Sequence, residues 1–132
     1  NSIRTAVVGN VNRPPSPAEQ AKMEGMVEKA MADGAWGLAT GLIYNPGTYA
    51  KTDEIVGLAK AAAKRRGLYV SHIRDEGAGL LPAIEEALRI GRESGCPVHA
   101  SHTKSSRKAA HGKAADAVGI IEAARAKGQA VT

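Results

Sequence analysis

A glycine recurs at intervals of roughly 30 residues, each time between a helical pattern and a short apolar run. These positions are Gly34, Gly67, Gly95 and Gly128, in the segments DGAWGLA, RRGLYVS, SGCPVHA and KGQAVT. Glycine adopts the left-handed backbone conformation without steric cost, so each one is predicted to end a helix in that conformation. The spacing predicts successive strand-helix units that build a parallel sheet.

The apolar periodicity predicts four helices, each ending at one of these glycines. The first has a capping box, in which Ser16 and Glu19 bond each other's backbone amides, with Pro17 in the first turn. Its apolar stripe runs from Met23 to Met31. The other three helices are predicted to begin at Thr52 and to include the stretches starting at Leu80 and Ala117.

The apolar runs are short and nearly continuous, as in strands that are buried on both faces of a parallel sheet. The predicted strands are Ala6 to Val8, Trp36 to Leu38, Leu68 to Val70, Pro97 to Ala100, and Ala130 onward. The fold class is therefore α/β, and 132 residues with 43% hydrophobic content fit one domain over residues 1–132. Because the chain lacks an initiator methionine and ends inside a predicted strand, we expect it to be a piece of a longer protein.

Composition excludes an intramolecular disulfide and argues against membrane and nucleic-acid partners. The single cysteine, Cys96, rules out an intramolecular disulfide and opens a strand, so a buried, inert thiol is predicted. No apolar run approaches the ~20 residues of a membrane span, which favours a soluble, cytoplasmic protein. The net charge is +5, but the basic residues are scattered among acidic ones and aromatic residues make up 3%. No nucleic-acid or membrane partner is predicted.

Two histidines each follow an apolar run: His72 in LYVSHIRDE and His102 in PVHASHTK. Their separation equals one strand-helix unit, so adjacent parallel strands would present both imidazoles at the same sheet edge. Two imidazoles there suggest a metal. A hydrolytic zinc site usually takes three protein ligands plus water, so the pair would be half a site. The alternative is that both are hydrogen-bonded structural histidines.

The neighbouring polar residues give weaker signals. Asp75 and Glu76 could ligate or orient a metal, but loop carboxylates are more often helix-start or surface charges, so neither is assigned. His99 lies three residues before His102, and in an extended strand the two side chains would point to opposite faces. We therefore do not assign His99 as a co-ligand.

Two further residues are candidates for contact with a substrate. Lys104 lies two residues past His102, close enough to hold a carboxylate beside a metal. Tyr44, in the turn-rich loop GLIYNPG, could donate to a substrate carbonyl or a developing oxyanion, or could simply be a packing tyrosine. The basic residues after His102 could cradle an anionic group, although a solvated loop is the commoner explanation. They are Lys104, Arg107, Lys108 and Lys113.

Three segments, GAWGLATGLIYNPGTYAKTDEIVGLAK, YVSHIRDEG and PVHASHTK, together resemble the N-acyl-D-amino-acid deacylases, or D-aminoacylases, of the amidohydrolase superfamily. The resemblance covers nearly the whole chain, from IRTAVVG to GKAADAVGIIEAARAKGQAVT. It implies about half of a TIM-like (β/α)8 metal-dependent hydrolase barrel. It also implies one or two zinc ions and hydrolysis of a small N-acyl-D-amino acid to a carboxylate and a D-amino acid.

By position, the resemblance makes His72 and His102 zinc ligands, and Tyr44 and Lys104 substrate-binding residues. The family's upstream His-x-His strand, its metal-ligating cysteine and its catalytic aspartate fall outside these residues, and Cys96 does not occupy that cysteine's place. We therefore expect the isolated chain to be inactive and to hide its open sheet edges by self-association.

Two other interpretations stay open at the level of sequence. The chain could belong to another amidohydrolase, such as a hydantoinase or dihydroorotase relative, which would differ in substrate rather than in fold. It could instead be a self-contained α/β binding or regulatory domain whose histidines are structural.

Overall fold

The computed structural model describes residues 1–106 and 108–132, so Arg107 of the basic loop lies outside the described residues. Helices and strands alternate after a short first helix, and 3-10 turns at Gly47–Tyr49 and Lys108–Ala110 lie in the loops. The helices are α1 (Ser2–Val7), α2 (Pro17–Ala32), α3 (Thr52–Ala63), α4 (Leu80–Ser94) and α5 (Ala114–Ala126). The strands are β1 (Gly37–Gly41), β2 (Leu68–His72) and β3 (Val98–Ala100).

The three strands form one parallel sheet in the order β1-β2-β3. Gly41 is paired with His72, and Ser71 with Ala100, so the carboxyl ends of the strands meet at one edge. Val131 adds a parallel bridge to Val98 where the last strand was predicted. The predicted α/β class with consecutive parallel strand-helix units is confirmed.

The capping box predicted at the start of α2 is present. The Glu19 amide donates to Ser16 Oγ at 3.2 Å, and the Ser16 amide donates to Glu19 Oε2 at 2.7 Å. Met23, Val27 and Met31 then face the core. The helices predicted to start at Thr52 and to include Leu80 and Ala117 are also confirmed.

The strand predicted over Ala6 to Val8 is wrong, because this segment closes helix α1. The Val8 amide donates to the Arg4 carbonyl at 2.8 Å, which is a helical bond. Arg4 and Val8 are both buried, and their spacing of four places them on one helical face. The apolar run Ala6 to Val8 alone did not show this helical spacing of four, because the buried residue one turn before Val8 is an arginine.

One of the four glycine helix stops also differs from the prediction. Gly34, Gly95 and Gly128 have positive φ, as expected, but after α3 the left-handed residue is Arg66, with φ 59°. Gly67 is required for a different reason: a Cβ there would lie 2.8 Å from Met31 Cε and 2.9 Å from the Ala62 carbonyl oxygen. Close packing of α2 and α3 against this turn therefore excludes a side chain at residue 67.

Burial in the sheet is less complete than the apolar runs predicted. In β2 the buried residues Tyr69 and Ser71 alternate with half-buried ones. Trp36 precedes β1 and is 87% exposed, so the first strand starts later than predicted. The core lies where α3 packs on α2 and α4 and where α3 and α4 pack on the sheet, and it includes Cys96, whose predicted burial is confirmed. In the described part of the chain, no helix is both long and apolar enough to cross a membrane.

Candidate metal centre

The two predicted histidines meet at the carboxyl edge of the sheet. His72 is the last residue of β2, and His102 follows β3 by two residues. The Ser101 amide donates to the Ser71 carbonyl at 2.9 Å, which extends the parallel pairing up to the turn. His102 then has a φ of 39°, in the left-handed region that non-glycine residues seldom adopt. His72 Nδ1 and His102 Nε2 are 2.9 Å apart.

A third ligand-type side chain, Glu76, joins them. Its Oε1 lies 3.6 Å from His72 Nε2 and 3.3 Å from His102 Nδ1, although the carboxylate is itself buried. One ligand atom from each of the three residues lies within 4.8 Å of the others. We call His72, Glu76 and His102 the histidine-glutamate cluster.

Hydrogen bonds from the Asp75 carboxylate and from the backbone of a neighbouring loop place Glu76 between β2 and α4. Asp75 accepts hydrogen bonds from the amides of Gly77 at 2.6 Å and Gly79 at 3.1 Å, just before α4 begins. The Ser106 amide donates to the Glu76 carbonyl at 2.7 Å, which ties this loop to the one after β3. Asp75 thus shapes the loop that precedes α4, and it lies outside the first turn of that helix, so the helix-start role considered from sequence is not observed. Glu76 was left unassigned from sequence, and no pattern marks it, because residues 73–76 are not helical and a spacing of four brings side chains together only on a helix.

The donor atoms of the histidine-glutamate cluster fit a metal ion. His72 Nε2 is buried and has no hydrogen-bond partner within the described residues. Leaving a buried polar atom without a partner costs about 1–3 kcal/mol, and a metal ion bound to its lone pair would remove that penalty. Imidazole nitrogen and carboxylate oxygen are the ligands that catalytic zinc sites combine.

Lys104 contacts the cluster directly. Its Nζ donates to Glu76 Oε1 at 2.5 Å and lies 3.2 Å from His102 Nδ1. Burial raises the pKa of the Glu76 carboxyl, but the hydrogen bond and charge of Lys104, together with the charges of the two histidines, outweigh it and bring the pKa below its usual value. Glu76 is therefore held as a carboxylate, the form that accepts hydrogen bonds and binds cations.

Tyr44 reaches the same edge from the loop after β1. Its ring centroid lies 5.0 Å from that of His72, and the residue is 58% exposed. His99 lies outside the cluster, since its Nδ1 is 2.9 Å from Thr132 Oγ1. The structure therefore brings together Tyr44, His72, His102 and Lys104, the four candidates that the sequence singled out.

The known proteins to which this chain is similar are deacylases. No family model matches the chain. Over 127 residues, 96% of this chain, it is 42% identical to an N-acyl-D-glutamate deacylase and 38% identical to a D-aminoacylase, both from Alcaligenes xylosoxydans xylosoxydans. The crystal structure of N-acyl-D-glutamate deacylase from Bordetella bronchiseptica, complexed with zinc and a phosphonate inhibitor, superposes with a TM-score of 0.93 at 40% identity and covers 98% of this chain.

The chain spans about a quarter of these proteins, 26% of each of the two curated relatives and 27% of the Bordetella chain. Within that span the matches extend over nearly every residue of this chain. They confirm the resemblance to the N-acyl-D-amino-acid deacylases that the sequence motifs indicated.

Proposed function

We propose that this chain is a segment of a zinc-dependent amidohydrolase that cleaves the amide bond of small N-acyl-D-amino acids. The products would be a carboxylate and a free D-amino acid. The observation that carries the proposal is the histidine-glutamate cluster at the carboxyl ends of adjacent parallel strands, where barrel hydrolases place their active sites. Similarity to named deacylases along 96% of the chain supports this substrate class.

His72 and His102 are the proposed metal ligands, for one or two zinc ions. A bound zinc ion supplies a water of lowered pKa and polarises the scissile carbonyl. Glu76 either completes the ligand set or fixes the imidazole orientation, since metal-binding histidines commonly donate their second N–H to a carboxylate. Its 3.3 Å distance from His102 Nδ1 suits the second role.

Lys104 and Tyr44 are the proposed substrate-binding residues. The Lys104 ammonium has three N–H donors; Nζ contacts Glu76 Oε1 and His102 Nδ1, so a third donor remains for the substrate carboxylate. The Lys104 side chain is 52% exposed, which leaves its charged end accessible. Tyr44 lies over His72, where its phenol could donate to the scissile carbonyl as negative charge develops there.

We also propose that these strand-helix units belong to a TIM-like barrel and that the protein is cytoplasmic. The three parallel strands and the helices packed on them support the barrel, whose full form has eight such units. The free, buried thiol of Cys96 is in keeping with a reducing compartment.

Activity and metal content of the full-length protein that carries this segment test the proposal. The zinc-loaded enzyme is expected to release D-amino acids from N-acyl-D-amino acids, to leave the L-enantiomers intact, and to lose activity when a chelator removes the metal. His72→Asn and His102→Asn should each lower both metal content and turnover. His99→Asn is the matched control and should change neither. An enzyme that is loaded with zinc but does not cleave these substrates would refute the function.

A further inference from the structure

We propose that Arg74 is a positioning residue that holds Tyr44 over the histidine-glutamate cluster. The inference rests on the proposed function and extends it to a residue two positions beyond His72. Arg74 joins helix α4 to the segment 42–50, which we call the tyrosine loop. Its guanidinium contacts both of these elements.

On the helix side, Arg74 makes a two-bond ion pair with Glu86 of α4. Its Nε donates to Glu86 Oε2 and its Nη2 to Glu86 Oε1, both at 2.8 Å. The hydroxyl of Thr52, at the start of α3, donates to the same Glu86 Oε1 at 2.8 Å. A bidentate pair of this kind fixes the plane of the guanidinium as well as its position. We call the Arg74–Glu86 ion pair the clamp, and it is anchored to two packed helices, α3 and α4.

On the loop side, the same guanidinium donates to two backbone carbonyls. Arg74 Nη1 donates to the Thr48 carbonyl at 3.1 Å, and Nη2 donates to the Ala50 carbonyl at 2.9 Å. The Thr48 amide in turn donates to the Tyr44 carbonyl at 3.1 Å. Two consecutive hydrogen bonds thus connect Arg74 to the backbone of Tyr44.

The position of Tyr44 depends on the loop backbone because its ring is not packed in the core. The start of the tyrosine loop is tied to the sheet, where the Leu42 amide donates to the His72 carbonyl at 3.0 Å. Its far end is held by Arg74. Lysine could not replace this arginine, since a single ammonium point charge cannot reach the carboxylate and both carbonyls in the planar geometry of a guanidinium.

A double-mutant cycle in the full-length enzyme tests whether Arg74 acts through Tyr44. Arg74→Met is expected to lower kcat/KM about tenfold to a hundredfold, because small displacements of a catalytic group have effects of this size. Zinc content should stay unchanged. In a Tyr44→Phe background the same substitution should change kcat/KM less than about twofold, since the hydroxyl it positions is already absent. Equal losses in both backgrounds would overturn the inference.

Hydrogen exchange gives a readout that does not require activity. Arg74→Met should speed amide exchange in the tyrosine loop and leave α4 protected; unchanged exchange there would overturn the proposal. Arg89→Met is the matched control: Arg89 pairs with Asp53 and Glu93 on the outer surface, so loop exchange and kcat/KM should stay at the wild-type level. Glu86→Gln weakens the clamp without removing it and should give a smaller change in the same direction.

The two proposals fail in different ways. If the wild-type enzyme does not cleave N-acyl-D-amino acids, the proposed function fails, and loop exchange still decides whether Arg74 holds the tyrosine loop. If the wild type is active and Arg74→Met matches it in kcat/KM, the positioning role fails while the function stands.

Discussion

Among single residues, Glu54 combines burial with a carboxylate oxygen that has no hydrogen-bond partner in the described part of the chain. Its other oxygen accepts a hydrogen bond from Arg4 Nε at 2.9 Å. Burial raises the pKa of the Glu54 carboxyl, and the charge and hydrogen bond of Arg4 offset only part of that rise. The folded chain therefore binds the Glu54 proton more tightly than the unfolded chain does.

This raised pKa makes stability depend on pH in a defined direction. The contribution of Glu54 is fully present below the carboxyl's ordinary pKa of 4.5 and is lost as pH rises through the folded value. We expect the free energy of unfolding of the wild type, relative to Glu54→Gln, to fall as pH rises above the ordinary carboxyl pKa of 4.5. Urea unfolding at several pH values measures this difference.

Glu19 provides a control, because its pKa is shifted in the opposite direction from that of Glu54. The side-chain hydrogen bond from Arg13 lowers the pKa of Glu19 to about 2, so its contribution is present above the ordinary carboxyl pKa and is lost as pH falls. Relative to Glu19→Gln, which keeps a capping-box residue, the wild type should gain stability as pH rises from about 2 to the ordinary carboxyl pKa of 4.5 and should then level off. A gain of the wild type over Glu54→Gln as pH rises above 4.5 would contradict the assignment of Glu54.

Cys96 should resist alkylation in the folded chain. Its thiol donates to the Ala59 carbonyl at 3.3 Å, and burial raises the pKa of the thiol. Because the thiolate is the reactive form, iodoacetamide at pH 8 should label the urea-unfolded chain and leave the native chain largely unlabelled. Intact-mass spectrometry measures the difference. Equal labelling rates in the two states would show that the thiol is accessible.

At the site, sequence could predict that the two strand-end histidines converge, and it could not predict that the loop residue Glu76 joins them. His72 and His102 end neighbouring parallel strands, so their convergence follows from the register of the sheet. Glu76 reaches them because Asp75 folds the loop back and Ser106 holds it. Neither bond leaves a periodic pattern in the sequence, and loop carboxylates are usually surface charges.

At the scale of elements, two helix-interior glycines should respond in opposite ways to alanine. A Cβ on Gly91 of α4 would lie 2.1 Å from Val98 Cγ2 and 3.2 Å from the Cys96 carbonyl oxygen, so α4 and β3 would have to separate. A Cβ on Gly119 of α5 has no atom of the described residues within 4 Å. The first substitution overpacks an interface, and the second only improves helix propensity.

We therefore expect Gly91→Ala to lower the free energy of unfolding by about 1–3 kcal/mol. Gly119→Ala should raise it by about 0.5–1 kcal/mol, because alanine loses less backbone entropy in a helix. Urea denaturation of both variants beside the wild type measures the two shifts. Destabilisation by Gly119→Ala would mean that an unseen contact covers that face of α5.

Helices could be predicted from sequence where the capping residues and the spacing of hydrophobic residues agreed. They were predicted less well where tertiary packing determined the backbone conformation. The Ser16 capping box defined the start of α2 by itself. Helix α1 was not predicted because helical periodicity is recognised from the spacing of hydrophobic residues. In α1 one of the buried positions is occupied by an arginine, Arg4. Gly67 looked like a helix stop, yet Arg66 takes the left-handed conformation and Gly67 serves close packing.

For the whole molecule, the 132-residue chain alone is predicted to be catalytically inactive. It brings His72, Glu76 and His102 together, but the family resemblance assigns the catalytic aspartate to a residue outside this sequence. Without a general base, a bound zinc ion could not complete amide hydrolysis at an enzymatic rate. Zinc-dependent release of a D-amino acid by the isolated chain would contradict this prediction, with the full-length enzyme as the positive control.

The open sheet edge of the 132-residue chain is predicted to drive self-association. Strand β1 is hydrogen-bonded to β2 on one side, and within the described residues its other edge pairs with no strand. Such an edge presents unpaired backbone groups to another copy of the chain. We expect the apparent mass in sedimentation velocity to rise with protein concentration.

A charge at this edge should weaken the association if the edge causes it. Ala39 is an exposed residue of β1, so Ala39→Lys should lower the apparent mass toward that of a monomer. Ala123 is an exposed alanine of α5, and Ala123→Lys adds the same charge away from the sheet, so it should leave the association unchanged. A wild-type chain that stays monomeric at all concentrations would contradict the prediction. Equal effects of the two lysines would show that net charge, rather than the β1 edge, controls the assembly.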